Sequence, residues 1–245
     1  MKISIMMSGG LDSYVAYYYA KNLGYEPLPI WIDIGQPYNK KEEAAIDSFE
    51  FPVRKIKADL LRKEWDNLPT IDKQIIPARN LLFTIIGSMF SERIWIMALD
   101  GEMHGKENDK TKKFFADTTA LLTYVLNYFR PETIVETPFE KMSKTEVVRW
   151  ALANGLTKEQ LLKTSTCYHE KKRNCGECGT CFKRWIAMKN NGIDEKYLTP
   201  PWLNSYAQET VGSMHLALRD NDYSRFTQKR IIETFGALRL QGISI

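Results

Sequence analysis

Short apolar runs rich in Ile, Val and Trp alternate with longer segments of helical period, and this rhythm limits the possible folds more than any other feature of the chain. The runs are KISIMM from Lys2, PLPIWID from Pro27, VRKI from Val53 and RIWIMAL from Arg93. Between them lie helical patterns over Leu11 to Leu23, Lys41 to Phe49 and Arg79 to Phe90, with a polar stretch after VRKI. Strand, helix and strand in this order predict an α/β fold, a doubly wound and mostly parallel sheet with helices on both faces. Ligands of such sheets sit outside the carboxyl ends of the strands. The segments just after Met7, Ile32 and Leu99 are therefore the expected functional ones.

The pattern changes after TIVETPF and the helical KTEVVRWALANG, where a polar, cysteine-bearing loop begins. TPPWLNSY from Thr199 reads as a linker turn, with two helices following it and ending near Leu238. The expected organisation is an α/β domain over 1–160, then a small cysteine loop and C-terminal helices over 161–245. With 245 residues, 44% of them hydrophobic, the chain can bury a real core. Its 34 basic and 30 acidic residues give a net charge of +4, and the basic ones are spread out, which argues against nucleic acid as a partner. No apolar stretch reaches membrane-spanning length; LLFTIIGSMF from Leu81 reads as a buried helix, and MKISIMM is too short for the apolar region of a signal peptide. A cytoplasmic location is expected.

The turn after the first strand is Ser8-Gly9-Gly10-Leu11-Asp12-Ser13. Its glycines let backbone approach a ligand without a Cβ in the way, and its N–H groups open a helix whose dipole favours an anion there. Ser8 and Ser13 can add hydroxyl donors, while Asp12 either caps the helix or holds a magnesium ion against phosphates. The loop lacks a lysine and is not a Walker P-loop.

All four cysteines fall between Cys167 and Cys181, too local to staple a domain by disulfides. Cys175, Cys178 and Cys181 are spaced C-x2-C-x2-C with Gly176 and Gly179 between them, and Cys167 joins from upstream. Four thiolates suit a closed, tetrahedral structural zinc site. An iron–sulfur cluster could use the same ligands, but the x3-Cys-Pro continuation is missing. His169 reads as a solvated loop residue, and neither His104 nor His215 has the spacing of a metal ligand.

The loop resembles the SGGxDS pyrophosphate loop of the N-type ATP pyrophosphatases, which cleave ATP between its α and β phosphates. Three further segments resemble one branch of that superfamily, the 7-cyano-7-deazaguanine synthases of the queuosine pathway. DIGQPYNKKE is similar to the family's DYGQ segment, with Asp33, Gly35 and Gln36 kept and Ile34 in place of tyrosine. IPARN, residues 76–80, is similar to VPARN, and TSTCYHEKKRNCGECGTCFKR to the family's SCY…CGxCxxC…R segment. The family's loop ending in Tyr-Pro-Asp corresponds to FFAD with Asp117, after a longer insertion, GEMHGKENDKTKK, and the tail beyond Gly192 is longer than the family's.

The resemblance implies an adenine nucleotide alpha hydrolase-like fold and a ligase that uses ATP, Mg²⁺ and Zn²⁺. It joins ammonia to 7-carboxy-7-deazaguanine through adenylated intermediates, releasing AMP and pyrophosphate. Nucleotide contacts fall by resemblance on Met7 to Ser13, including Leu11, and on Asp33, Gly35 and Gln36. Arg79 is expected to stabilise the carboxylate or the α-phosphate, beside Asn80. The N–H edge of the deazaguanine needs a carboxylate: Asp117 first, then Asp109 and Glu102. Lys141 and Lys144 can reach phosphates, although Ser143 and Glu146 around them also spell a helix-capping box. Asp12, Arg79 and Lys144 are the expected catalytic residues, and a homodimer is the expected assembly. Two related chemistries share these motifs: joining the adenylated acid to an amine on a macromolecule, and tRNA modification by an ATP pyrophosphatase.

Overall fold

A computed structural model describes residues 1–58, 76–102, 109–167, 169 and 174–244. Its centre is β1 (Lys2–Met7), buried from Ile3 onward, as an inner parallel strand covered on both faces must be. On one side β1 pairs in parallel with β2 (Glu26–Asp33), Met7 standing opposite Trp31. On the other it pairs in parallel with β4 (Arg93–Trp95), Ile3 opposite Arg93. With β3 (Arg54–Lys57) and β5 (Ile134–Glu136) at the edges, the order is β3-β2-β1-β4-β5. The chain thus winds outward from β1, then returns to its far side. That reversal opens a crevice beyond the carboxyl ends of β1 and β4.

Alternation along β1 feeds two apolar layers. Ile3, Ile5 and Met7 join Tyr14, Val15 and Val148, the layer of α1 (Leu11–Asn22) and α5 (Lys144–Ala153). Met6 instead joins Ile30, Ile94, Phe115 and Leu122, the layer of α3 (Arg79–Ser88) and α4 (Lys112–Leu126). The short α2 (Asn39–Ile46) follows β2.

Two segments depart from their expected form. LLFTIIGSMF is helical, but α3 buries Asn80, Thr84, Gly87 and Ser88 and leaves Ile85 and Met89 exposed. The small face wins because the helix lies very close to the sheet: a Cβ on Gly87 would stand 2.8 Å from Met6 Cε, and Ser4 Oγ donates to the Gly87 carbonyl at 3.0 Å. FFAD belongs to a helix, not a loop. Thr111 Oγ1 caps α4 by accepting from Phe114 N at 3.1 Å, and Phe115, Thr118 and Leu122 form its buried stripe.

The C-terminal part contains α6 (Lys158–Leu162), α7 (Gly179–Lys189), a 3-10 turn (Pro201–Leu203), α8 (Ser205–Asp220) and α9 (Gln228–Leu240). Helix α7 serves two cores. Ala187 and Met188 join the layer of α1 and α5, while Phe182 and Trp185 pack with Phe226, Phe235 and Leu238. Arg184 lies between, fully buried, with Nε donating to both oxygens of Glu195 at 3.0 and 2.7 Å. Its other nitrogens donate to Thr164 Oγ1 at 2.7 Å and the Leu161 carbonyl at 3.1 Å. No described helix is long and apolar enough to cross a membrane.

Candidate active site

The first strand-to-helix turn opens directly into the crevice, and its two glycines do different work. Gly9 has φ of 66°, and a Cβ there would stand 2.8 Å from the Glu42 carbonyl oxygen, so this glycine admits α2. Gly10 faces the cleft and is the N-cap of α1, where no side chain caps the helix. The first N–H groups of α1 therefore have no side-chain acceptor and face an open site. Ser13 Oγ donates to the Gly10 carbonyl at 3.1 Å and lies 3.3 Å from Ser8 Oγ, which draws both hydroxyls to the loop. Opposite stands the segment after α6, fixed by Ser165 N donating to the Gly9 carbonyl at 2.8 Å. Ser165 Oγ and Thr166 Oγ1 are buried without a hydrogen-bond partner among the described residues, and both residues line the cleft.

Five basic residues, Lys41, Arg79, Lys110, Lys144 and Lys183, line this cleft against three acidic ones, Asp12, Glu42 and Glu102, so its field favours an anionic ligand. Lys144 Nζ donates to Asp12 Oδ1 at 2.6 Å and Oδ2 at 2.5 Å, so Asp12 spends its carboxylate across the cleft and not on a cap. The capping box is present as well: Ser143 Oγ accepts from Glu146 N at 3.2 Å, and Ser143 N donates to Glu146 Oε2 at 2.8 Å. One short segment thus starts α5 and aims Lys144, while the neighbouring Lys141 stays exposed.

Ala78, with φ of 55°, turns the chain into α3 and delivers Arg79 and Asn80 to the cleft. Arg79 Nη1 donates to Tyr38 Oη at 2.8 Å. Glu102 accepts from Leu99 N at 3.2 Å and Lys110 Nζ at 3.1 Å. Burial alone would push its carboxyl up, but Lys110, Lys144 and Lys183 outweigh that and hold it at about 2.

Most of the anticipated residues meet here. Met7, Ser8, Gly10, Asp12 and Ser13 line the cleft from one side, and Gln36, Arg79, Asn80, Glu102 and Lys144 from the others. Leu11 is instead fully buried in the core. Asp33 shapes the turn beyond β2, accepting from Gly35 N at 2.8 Å and Asn39 Nδ2 at 3.0 Å. Asp109 offers its backbone carbonyl to Asn80 Nδ2 at 3.2 Å. Asp117 stands away from the cleft, on the exposed side of α4, ion-paired with Lys113 at 2.7 Å. The pair has the i,i+4 spacing of neighbours on an exposed helix face. His215 packs on the Phe235 ring, and His104 lies outside the described residues.

Sequence reasoning passed over Glu42, Lys183, Ser165 and Thr166, all at the cleft. Glu42 Oε2 accepts from Trp31 Nε1 at 3.0 Å and Gln36 Nε2 at 2.9 Å. Burial pushes its carboxyl up to about 7, against the lowering effect of these bonds and of Arg79.

Beside the cleft the sulfurs of Cys167, Cys175, Cys178 and Cys181 all lie within 4.8 Å of one another. Zinc–sulfur bonds of about 2.3 Å place tetrahedral ligands about 3.8 Å apart. The Cys175–Cys181 separation is 3.8 Å, so this pair already has the spacing of zinc ligands and the set is compatible with zinc. Glu177 N donates to Cys175 Sγ at 3.2 Å, which supports a thiolate there. Gly176 is needed at this turn: its φ is 78°, and a Cβ would fall 1.7 Å from the Thr199 carbonyl oxygen. Thr199 ties back to the cysteine turn, its N and Oγ1 donating to the Cys175 carbonyl at 3.1 and 2.9 Å. The expected linker turn is therefore a clasp on the thiolate loop.

Fold and site together define a parallel α/β protein with a predominantly basic cleft at a glycine turn, beside a four-thiolate cluster compatible with zinc. Residues 50–192 match the family described as queuosine biosynthesis protein QueC. The chain belongs to that family of ligase-type enzymes. It is 29% identical to the 7-cyano-7-deazaguanine synthase of Methanococcus aeolicus over 232 residues, covering 80% of this chain and 97% of that protein. Its identity to the synthase of Archaeoglobus fulgidus is 26%, covering 84% and 93%, and to that of Thermoplasma volcanium 28%, covering 86% and 95%.

Two measurements test these assignments. Metal analysis is expected to find about one zinc per chain, as a closed four-thiolate site implies, and Cys178→Ser to lower zinc content and thermal stability together. Metal-free protein of full stability, or an iron-bearing brown sample, would overturn it. The second concerns Glu42. Between its ordinary value of 4.5 and its folded value of about 7, the folded chain holds a proton that the unfolded chain releases. Stability is thus lost as pH rises through this window, and the whole cost persists above it. Glu42→Gln keeps an oxygen for Trp31 and removes the cost. Its melting temperature is expected to stay close to the parent's at pH 5 and to exceed it at pH 8 by several degrees, each ~1 kcal/mol removed being worth about 2–4 °C in a chain of this size. A difference independent of pH would refute the assignment.

Proposed function

We propose that this chain is an ATP-dependent 7-cyano-7-deazaguanine synthase. The observation that carries the reading is the uncapped start of α1 behind the Ser8–Ser13 turn, in a predominantly basic cleft whose opposite wall carries Ser165 and Thr166. Phosphate oxygens supply the acceptors that the first N–H groups of α1 lack. Family membership and the relatives' name, 7-cyano-7-deazaguanine synthase, support 7-carboxy-7-deazaguanine as the acid that is activated.

The carboxylate of 7-carboxy-7-deazaguanine attacks the α-phosphorus of ATP, and pyrophosphate leaves toward the Ser8–Ser13 turn. Ammonia displaces AMP from the mixed anhydride and gives the amide with loss of a proton. The amide oxygen attacks the α-phosphorus of a second ATP, expelling a second pyrophosphate as one N–H proton is lost, and departure of AMP with the remaining N–H proton leaves the nitrile. The protein's part is positioning and charge stabilisation. Arg79 and Lys183 neutralise charge around the α-phosphate. Lys144 holds Asp12 in place in the empty cleft and passes to the phosphates when they bind. Mg²⁺ brought with the nucleotide offsets phosphate charge, and Asp12 is the carboxylate that would hold it, since such ions use one or two carboxylates plus phosphate oxygens.

The assembly is proposed to be a homodimer formed through the outer faces of α3 and α4. These neighbouring helices and the turn after α4 expose Met89, Tyr124, Tyr128 and Phe129 at 67–90% of their surface. Light scattering is expected to give twice the mass of one chain, and Tyr128→Asp with Phe129→Asp to give the monomer; a wild-type monomer would overturn the assembly.

Incubation with ATP, ammonium and the acid is expected to yield the nitrile, with two AMP released for each. Asp12→Ala is expected to slow AMP release at least ~100-fold, the usual effect of losing charge stabilisation at a reacting group, with its melting temperature within ~2 °C of the parent. Normal turnover by the folded variant would sink this role. AMP formation that needs a macromolecular amine would replace the nitrile reading with conjugation.

A further inference from the structure

A second chamber opens off the cleft, sharing Glu102, Lys144 and Lys183 with it. Its far wall is α9, which presents Thr227, Arg230, Glu233 and Thr234. Thr227, Arg230 and Thr234 follow helical spacing along one face, with Glu233 beside them. These residues lie beyond residue 192, where the family match ends.

The chamber's polar groups are unequally committed. Glu102 is bound by Lys110 and Leu99 N, and Asp100 accepts from Gly101 N at 3.0 Å and faces Lys229 at 3.8 Å. Glu233 accepts from Ser143 Oγ at 2.5 Å. The Thr145 hydroxyl beside it is buried, on a residue 1% exposed, and makes no hydrogen bond of normal geometry. A carboxylate with one hydrogen bond of normal geometry, from Ser143 to Oε1, thus stands in a pocket that shares three lining residues with the cleft. Three cations, Lys144, Lys183 and Arg230, balance the three acids of the chamber, so neither an ammonium ion nor a polyanion is favoured there. A neutral ring edge carrying adjacent N–H donors matches the acceptor capacity of the Glu233 carboxylate.

We propose that this chamber binds the guanine-like edge of the acid to be activated, with Glu233 of α9 as the acceptor for its ring N–H and exocyclic amine. The inference rests on the proposed synthase reading and adds the residue that reads the heterocycle. The ring then sits against α9 with its carboxylate directed past Lys144 toward the glycine turn. Burial and the nearby Glu146 push the Glu233 carboxyl up, while Ser143, Thr145 and Lys229 draw it down. Paired N–H donors from a ligand act in the second direction and favour the ionised form.

The test uses the full chain and its Glu233→Gln variant, measuring AMP release with 7-carboxy-7-deazaguanine and with its analogue lacking the exocyclic amine. Wild type is expected to favour the natural acid. Glu233→Gln is expected to raise the KM for that acid about tenfold or more, to leave the KM for ATP within twofold, and to lose discrimination between acid and analogue. If both KM values rise together, or discrimination survives, Glu233 only braces α5 and the proposal is overturned. It is also overturned if Asp117→Asn produces the selective shift instead. Should wild type release no AMP with the acid, calorimetric titration of the acid alone separates the two ideas. Binding that Glu233→Gln abolishes keeps the chamber and rejects the synthase reading, whereas binding that ignores the variant, or no binding, rejects the chamber.

Discussion

A guanidinium cannot enter a protein interior unless nearby acceptors replace its water, and Arg184 meets that demand from three directions. Its partners are Glu195 in the tail, Thr164 after α6 and the Leu161 carbonyl at the end of α6. Removing one partner of such a pair typically costs about 3–5 kcal/mol, because the other charge is left buried and unpaired. Glu195 is shared further with Asn174 at 2.8 Å and Tyr197 at 2.6 Å, so the network reaches the thiolate loop. The next residue after Thr164 is Ser165, whose N–H holds the Gly9 carbonyl. The glycine turn, the cleft's opposite wall and the cysteine cluster are thereby set in one frame by a single buried cation.

The cleft's electrostatics follow from that frame. Lys144 and Asp12 come from opposite halves of the chain and close on each other when no ligand intervenes. Both are only 17–20% exposed, so their attraction is less screened than that of a surface pair. In the proposed reaction the phosphates would offer Lys144 a second partner, and the proposed Mg²⁺ would then take its place beside Asp12.

Legibility in the sequence followed the range of the interaction. The strand–helix rhythm, the Ser8–Ser13 turn, the Ser143 capping box and the cysteine spacing are local patterns, and each could be read directly. The small face of α3 was hidden because its closeness to β1 is set by Gly87 meeting Met6, a contact absent from any local window. The helix around Asp117 was hidden for the opposite reason: a family likeness to a loop outweighed the amphipathic stripe of Phe115, Thr118 and Leu122. Glu42, Arg184 and Glu233 look like ordinary charged residues of helices. Only tertiary burial and partners set them apart.

The clasp between Thr199 and Cys175 bears on how such a chain matures. The thiolate turn is held from outside by the segment leading into α8, and Asn204, the N-cap of that helix, also donates to the Gly176 carbonyl at 2.7 Å. The thiolate turn and the start of α8 thus share one short segment, residues 199–204. If the four thiolates hold a metal, that ion fixes residues arriving late in synthesis, and a chain still lacking it would keep this end loosely held and open to proteolysis.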